Sequence, residues 1–489
     1  MKKIDCFIPY ITHSQVCDLV GQLQSVPGVN AIYLLATSST TERIKGYEFL
    51  SIEEGLGSTQ TIRKIVSHTK SDYTLFCTKY TSLELGPFAL ERMLSIARDT
   101  NAGILYSDYY RKNAGAYMPV PVIDYQKGSL RDDFNFGPLL LFDTSLLKQA
   151  VEKMETEYRF AALYEVRLRL SERAELVHIN EYLYSESEED TRKSGEKIFD
   201  YVDPKNRAVQ IEMEEVCTAY LKRIGGYLPP RSEALTFAAE GFDFEASVII
   251  PVRNRIRTIK DAIRSVLEQS TTFKFNLIVV DNHSTDGTTE AIDAYGSDPR
   301  LIHVMPERRD LGIGGCWNLG VHHPQCGKFA VQLDSDDVYS GPDTLQKIVD
   351  AFYEQQAAMI VGTYCMTDFD MNEIPPGMID HKEWTPENGH NNALRINGLG
   401  APRAFYTPVI RSLNFPNTSY GEDYAVGLRI SRTWRIGRIY EVLYLCRRWE
   451  DNSDAALDTV KMNGYNTYKD RIRTWELQAR IALNGQSST

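Results

Sequence analysis

The sequence has no long apolar run, no paired cysteines and an excess of acidic over basic residues. No stretch of about 18 consecutive apolar residues occurs in its 489 residues, so no segment reads as a membrane-spanning helix. The eight cysteines, at 6, 17, 77, 217, 316, 326, 365 and 446, form no CxxC pair and no dense framework. That excludes a disulfide scaffold and points to a reducing compartment. His322, His323 and Cys326 make an HHxxC cluster, but no fourth ligand stands nearby, so zinc is not expected. Lys and Arg number 54 against 66 Asp and Glu, a formal net charge of -12. No nucleic-acid partner is expected, because phosphate backbones select clustered positive charge. The opening MKKIDCFIPYITHS carries Asp5 and Pro9 within a short apolar run and reads as a first strand rather than a signal peptide. The expected location is cytoplasmic, with at most peripheral contact at the inner face of the membrane.

What is there is length and repetition. A chain this long predicts two or three domains. From 246 onward strand and helix alternate: SVIIP, then a helical 257–269, FNLIVVD (275–281), a helix opening at STDGT, RLIHVM (300–305) and KFAVQLD (328–334). This predicts an α/β fold with a mostly parallel sheet flanked by helices, with ligands bound beyond the carboxyl ends of the strands. The first half can be laid on the second. CFIPY matches VIIPV, YLLATSS (33–39) takes the place of IVVDNHS, and YTLFCTKY (73–80) takes the place of FAVQLDSD. Ala36 then stands at Asp281, Thr78 at Asp334 and Tyr80 at Asp336, so the first copy kept the scaffold and lost the carboxylates. The expected organisation is a degenerate copy at 1–200, a helical connector at 201–240, a catalytic copy at 241–455 and a helical tail at 456–489. The charged stretch 185–197 reads as an exposed loop.

Chemistry concentrates in the second copy. FAVQLDSDDVY crowds Asp334, Asp336 and Asp337 into four positions at a strand end, where their mutual repulsion calls for water or a cation. Asp281 ends a buried strand, placed either to meet a nucleobase or to cap the following turn, where Asp286 and Gly287 lead into a helix. YGEDYAVGLRIS sets Glu422 and Asp423 at a helix start, as charges favoured by the dipole or as a general base.

In order, SVIIPVRN, VVDNHSTDGT, LGIGGCWNLG, LDSDD and YGEDYAVGLRIS resemble the motifs of family 2 glycosyltransferases, over roughly 200 residues. The pairing of copies resembles two-domain bacterial polysaccharide glycosyltransferases. The resemblance implies two tandem GT-A-like domains and inverting transfer from a nucleotide-sugar donor, UDP-sugar first, to a glycan or lipid-linked saccharide acceptor. It implies Mn²⁺ or Mg²⁺ held by Asp336 and Asp334, with Asp334 also near the donor ribose, and Asp423 as base with Glu422 beside it. Pro251, Arg253, Asn254, Asp281, Asp286, Gly314 and Asn318 would line the nucleotide-sugar pocket. Cys316 and Trp317 stand where the family has Ala and Arg. In CRRWEDNSD, Arg447 and Arg448 would steady the diphosphate, and Glu450 stands at a His position as a candidate metal ligand. Ser453 fits the same segment, Trp449 reads as a sugar platform or a core residue, and 381–400 reads as an acceptor loop or lid. A catalytically silent scaffold and a sugar nucleotidyltransferase are the rivals. PVRNRIRTIKD, lacking the glycine-rich basic loop, disfavours the latter.

Overall fold

The computed structural model describes residues 3–37, 46–113, 115–187, 206–230, 232–237, 241–450, 452 and 457–486. The chain divides into two units: Met1–Lys193 with Lys205–Tyr227 and Asp458–Leu477, and Ser194–Pro204 with Leu228–Leu457 and Gln478–Thr489.

In unit 1, nine strands, β1 (Ile4–Pro9), β2 (Val29–Thr37), β3 (Glu48–Ile52), β4 (Tyr73–Cys77), β5 (Leu83–Leu85), β6 (Ile104–Asn113), β7 (Ala116–Val120), β8 (Leu139–Asp143) and β9 (Leu176–Ser187), form one sheet. Their order is β3-β2-β1-β4-β8-β6-β9-β5, with β7 on β6. Unit 2 builds β10 (Ala246–Val252), β11 (Phe275–Asp281), β12 (Leu301–Val304), β13 (Phe329–Gln332), β14 (Val338–Tyr339), β15 (Met359–Thr367), β16 (Glu373–Ile379), β17 (Arg403–Tyr406) and β18 (Ile436–Arg447). Their order, β12-β11-β10-β13-β17-β15-β18-β14 with β16 on β15, repeats unit 1 strand for strand. The tandem duplication read from the sequence is therefore a duplication of topology.

The sheets are mixed rather than mostly parallel. Pairing is parallel through β12, β11, β10 and β13, then antiparallel on both sides of β17. The strand and helix alternation read in 246–334 covers only the parallel part. The core is where that pattern placed it: every residue of β11 is buried, and helix Ile259–Leu267 turns Ile259, Ala262, Ile263 and Val266 inward. The charged stretch at 185 begins inside β9, where Ser185 and Glu186 are buried; 188–197 and Ser453 lie outside the described residues. Helix Arg207–Arg223 groups with unit 1, where Glu212 accepts from the backbone N–H groups of Arg159, Phe160 and Ala161. Among the described residues no helix is long and apolar enough to cross a membrane.

Register fixes the equivalence of the copies. Phe7 pairs with Phe76, and Ile249 pairs with Gln332, each two residues before its proline. Thr78 therefore occupies the place of Asp334. Scaffold contacts survive alongside. Asp5, fully buried, accepts from Asn30 Nδ2 at 2.9 Å and from the N–H groups of Lys70 and Ser71 at 2.7 and 2.8 Å. Ser247 in the same slot bonds Asn276 and accepts from Gly327 N–H at 2.7 Å. Asp5→Ala strands one buried and one part-buried backbone donor, so a loss of about 2 kcal/mol is expected in urea unfolding; a variant within about 0.5 kcal/mol of wild type would contradict the role.

Candidate functional site

The parallel ladder between β10 and β13 ends at the pair Ile249 and Gln332. Pro251, which has no N–H to give, sits just beyond. The two strands part there, as expected for a ligand crevice at strand carboxyl ends. The turn that follows β13 is closed by Asp337 N–H donating to Asp334 O at 3.2 Å.

This turn concentrates three carboxylates, and the structure shows what offsets each. Asp334 accepts from Gln332 Nε2 at 2.8 Å, and its own N–H donates to Tyr444 Oη at 3.1 Å. Burial pushes its carboxyl up, Asp336 adds to the rise, and the Arg403 guanidinium opposes it. Asp337 is buried and accepts from Arg447 N–H at 2.8 Å; burial, then Asp336 and Asp334, push its carboxyl well above the ordinary range. Asp336 is the most available of the three. Its Oδ2 meets Asn452 Nδ2 at 3.2 Å, Trp449 Nε1 at 3.4 Å and Arg255 Nε at 3.8 Å. Asp336 disfavours the charged form of both neighbours, and a cluster of that kind is a seat for positive charge.

The second carboxylate pair arrives from a helix start far along the chain. Gly421, with φ +79°, turns the chain into helix Glu422–Thr433. Asp423 pairs with Arg403 Nη1 at 2.5 Å. Arg403 also feels Asp334 and Glu422, so one guanidinium joins the DSDD turn to the helix start. Glu422 is buried with Oε2 unpartnered, and burial, then Asp423, push its carboxyl up to about 8. Sequence reasoning missed Arg403. No local motif marks it; only insertion of β17 beside β13 brings it to Gln332, whose Oε1 accepts from Arg403 N–H at 3.1 Å. Tyr444, Arg255 and Asn452 were missed for the same reason.

Several expected donor contacts have other occupations. Asp281 is fully buried, its oxygens accepting from Ser284 N–H at 3.0 Å and Thr289 Oγ1 at 2.5 Å, so the capping alternative describes its geometry. Asp286 receives Ile256 N–H and both Thr288 donors; burial resists ionisation, but these bonds hold its carboxyl below the usual range. Asn254, exposed at φ +56°, accepts from Thr285 N–H at 2.8 Å. Pro251 is half-buried and Arg253 exposed at the crevice edge.

Gly314 donates its N–H to Thr418 O at 2.9 Å, and a Cβ there would strike Pro416 O. Gly314 thus packs the start of its helix against the Pro416 backbone. Asn318 spends both ends of its amide on the Phe415 backbone, at 2.8 Å each. Arg447 is buried, bonding Asp336 O through Nε and Asp261 through Nη1 at 3.0 Å, so it staples the turn instead of reaching solvent. Arg448 is half-buried, and its N–H donates to Thr367 O at 2.8 Å. Glu450 is exposed and paired with Arg257 at 3.1 Å. Arg257 also lies over Trp449 at 4.9 Å, so that ring carries a cation. Among the described residues no group of three or more His, Cys, Asp or Glu is arranged to hold a metal.

The duplicated mixed sheet, which in unit 2 carries an acidic turn after a strand and an acidic pair at a helix start, is a GT-A-like fold. Residues 247–413, within unit 2, match the family described as Glycosyl transferase family 2. Relatives include TuaG of Bacillus subtilis (strain 168), named provisionally as a teichuronic acid biosynthesis glycosyltransferase. It is 32% identical over 120 residues, 24% of this chain and 46% of that protein. WfgD of Escherichia coli, a UDP-Glc:alpha-D-GlcNAc-diphosphoundecaprenol beta-1,3-glucosyltransferase, is 25% identical over 243 residues, 50% of this chain and 88% of that protein. The chain spans less than half the length of TuaG and of several other curated relatives. Among solved structures, S. aureus TarS 1-349 in complex with UDP-GlcNAc aligns at TM-score 0.38 and 20% identity, over 48% of this chain and 72% of that one.

The buried proton at Glu422 has a consequence for stability. A carboxyl raised in the fold favours folding fully below its unfolded pKa of about 4.3. That contribution fades as pH rises toward about 8, by up to about 1.4 kcal/mol per unit. Glu422→Gln should match wild type near about pH 4 and exceed it in urea unfolding near about pH 9; parallel pH profiles would remove the proton from Glu422.

Proposed function

We propose that unit 2 is an inverting glycosyltransferase, moving a sugar from a nucleotide-diphosphate donor to a saccharide hydroxyl in cell-envelope polysaccharide synthesis. The observation that carries this is Arg403, which gathers Asp334 and Asp423 from motifs far apart in the chain. UDP-sugar is the first donor to try, and a glycan or lipid-linked saccharide is the acceptor class; WfgD is named for such a pair.

Asp336 and Asp334 would hold Mn²⁺ or Mg²⁺, and two crowded carboxylates with open valence toward a diphosphate fit such an ion. When bound, the cation supplies neutralisation of the charge that develops on the leaving diphosphate. Glu450, turned to Arg257, stands outside this donor set. Arg447 and Tyr444 fix the turn, so Asp336 presents its carboxylate without reorganising. Arg253 and Asn254 edge the nucleotide side, and Arg448 stands near the diphosphate side. Asp423 takes the proton from the acceptor hydroxyl as its oxygen attacks the anomeric carbon. Neutral Glu422 beside it keeps a second full charge away from that base. Unit 1, with Thr78 at the place of Asp334, serves a non-catalytic role such as holding glycan or meeting a membrane surface.

The test is thermal unfolding with UDP-, GDP-, dTDP- and CMP-sugars, each with and without Mn²⁺. A donor at 100 times its dissociation constant should stabilise by about 2.7 kcal/mol, and Asp336→Ala should abolish the metal-dependent part. Absence of any donor shift would favour the scaffold reading. In transfer assays Asp423→Asn should lower kcat by about 10²- to 10⁴-fold, the worth of a general base, with donor binding retained. An unchanged kcat would sink the mechanism.

A further inference from the structure

Unit 2 contains a cavity that neither the donor crevice nor the acidic motifs use. Its volume is about 480 Å³, and Trp384, Trp434, Tyr440, His390, Arg435 and Arg438 line it. In a chain of net charge -12, no aspartate or glutamate is among its lining residues. Arg438 is the anchor. It is 8% exposed, donates from Nη1 to Leu399 O at 2.6 Å and lies over the Trp384 ring at 4.7 Å. Its Nε and Nη2 have no hydrogen-bond partner among the described residues. The carboxylate felt by Arg438, Glu383, is already paired with His381 at 2.6 Å. His390 spends Nε2 on Leu228 O at 2.8 Å and acts as wall. Arg435 is exposed at the rim.

The wall is built, not incidental. A Cβ on Gly389 would overlap the Trp384 indole, so glycine there lets the ring lie flat against the chain. Tyr440 Oη donates to Trp384 O at 3.3 Å. Aromatic planes and the guanidiniums of Arg435 and Arg438, with no acid in the lining itself, fit a sugar ring that carries a negative group.

The cavity's position adds a second argument. Arg403, Val361 and Arg438 pair across β17, β15 and β18 in one row, so Arg403 and Arg438 project from the same face, about two strand spacings or 10 Å apart. Helix Glu422–Thr433 joins the two places: from Asp423 to the cavity-lining Ser431 is eight residues, about 12 Å of helix. An oligosaccharide spans that distance and a monosaccharide does not.

We infer that this cavity is a second saccharide site, taking an anionic sugar residue of an oligosaccharide whose other end reaches Asp423. The link to Asp423 rests on the glycosyltransferase reading, whereas the binding itself rests on the cavity. The full chain is titrated calorimetrically with an oligosaccharide of uronic acids, with its neutral methyl ester and with inorganic phosphate. The acid should bind about tenfold or more tighter than the ester, the worth of one charge-assisted hydrogen bond. Arg435→Ala and Trp434→Ala, both toward the rim, should each weaken it about tenfold while leaving the UDP-sugar thermal shift unchanged. Equal affinity for acid and ester, or wild-type affinity in both variants, overturns the inference. Phosphate binding as tightly as the oligosaccharide overturns the saccharide assignment. Acid binding that depends on Arg435 and Trp434, in a protein that shifts with no nucleotide sugar, supports the site and removes the transferase reading alone.

Discussion

The active face of unit 2 depends on one guanidinium. Arg403 sits among Asp334, Glu422 and Asp423, acids that repel one another in a partly dry crevice. Without a fixed cation between them the carboxylates would have to take up protons or move apart. With it, a turn after one strand and the first residues of a distant helix hold a common geometry. Arg447 performs the complementary task below, tying the turn's backbone to helix Ile259–Leu267 through Asp261.

Unit 1 shows what happens when that demand disappears. Phe76 pairs with Leu140 across β4 and β8, and on the equivalent strands Gln332 lies beside Arg403. A buried leucine thus occupies the place of the arginine, in the copy where threonine replaces the aspartate. Carboxylate and guanidinium are absent together, as expected where either alone in a buried slot is costly. The buried polar residue on the first strand and its asparagine partner remain, since these satisfy backbone groups rather than chemistry.

The sequence made the parallel half of each sheet legible, because buried parallel strands and amphipathic helices have strong periods. It also revealed the duplication and the two acidic motifs, which are local. The antiparallel half was not legible: β14 has two residues, and β16 and β17 follow no alternation. For that reason the residues that organise the site, Arg403 and Tyr444, passed unnoticed. In three dimensions Asp281 also caps a turn, Asn318 anchors a loop and Gly314 packs against Pro416, contacts that no local motif announces.

The family-matched segment ends at residue 413, whereas Glu422, Asp423, Tyr444 and Arg447 follow it. The acidic turn and Arg403 thus belong to the recognisable segment, and Tyr444, Arg447 and the Glu422–Asp423 pair belong to what comes after. The inheritable module is longer than its detectable signature. A graft of 247–413 into another chain would keep Gln332 and Arg403 near Asp334 but lose Tyr444, Arg447 and Asp423, leaving a guanidinium without its paired carboxylate.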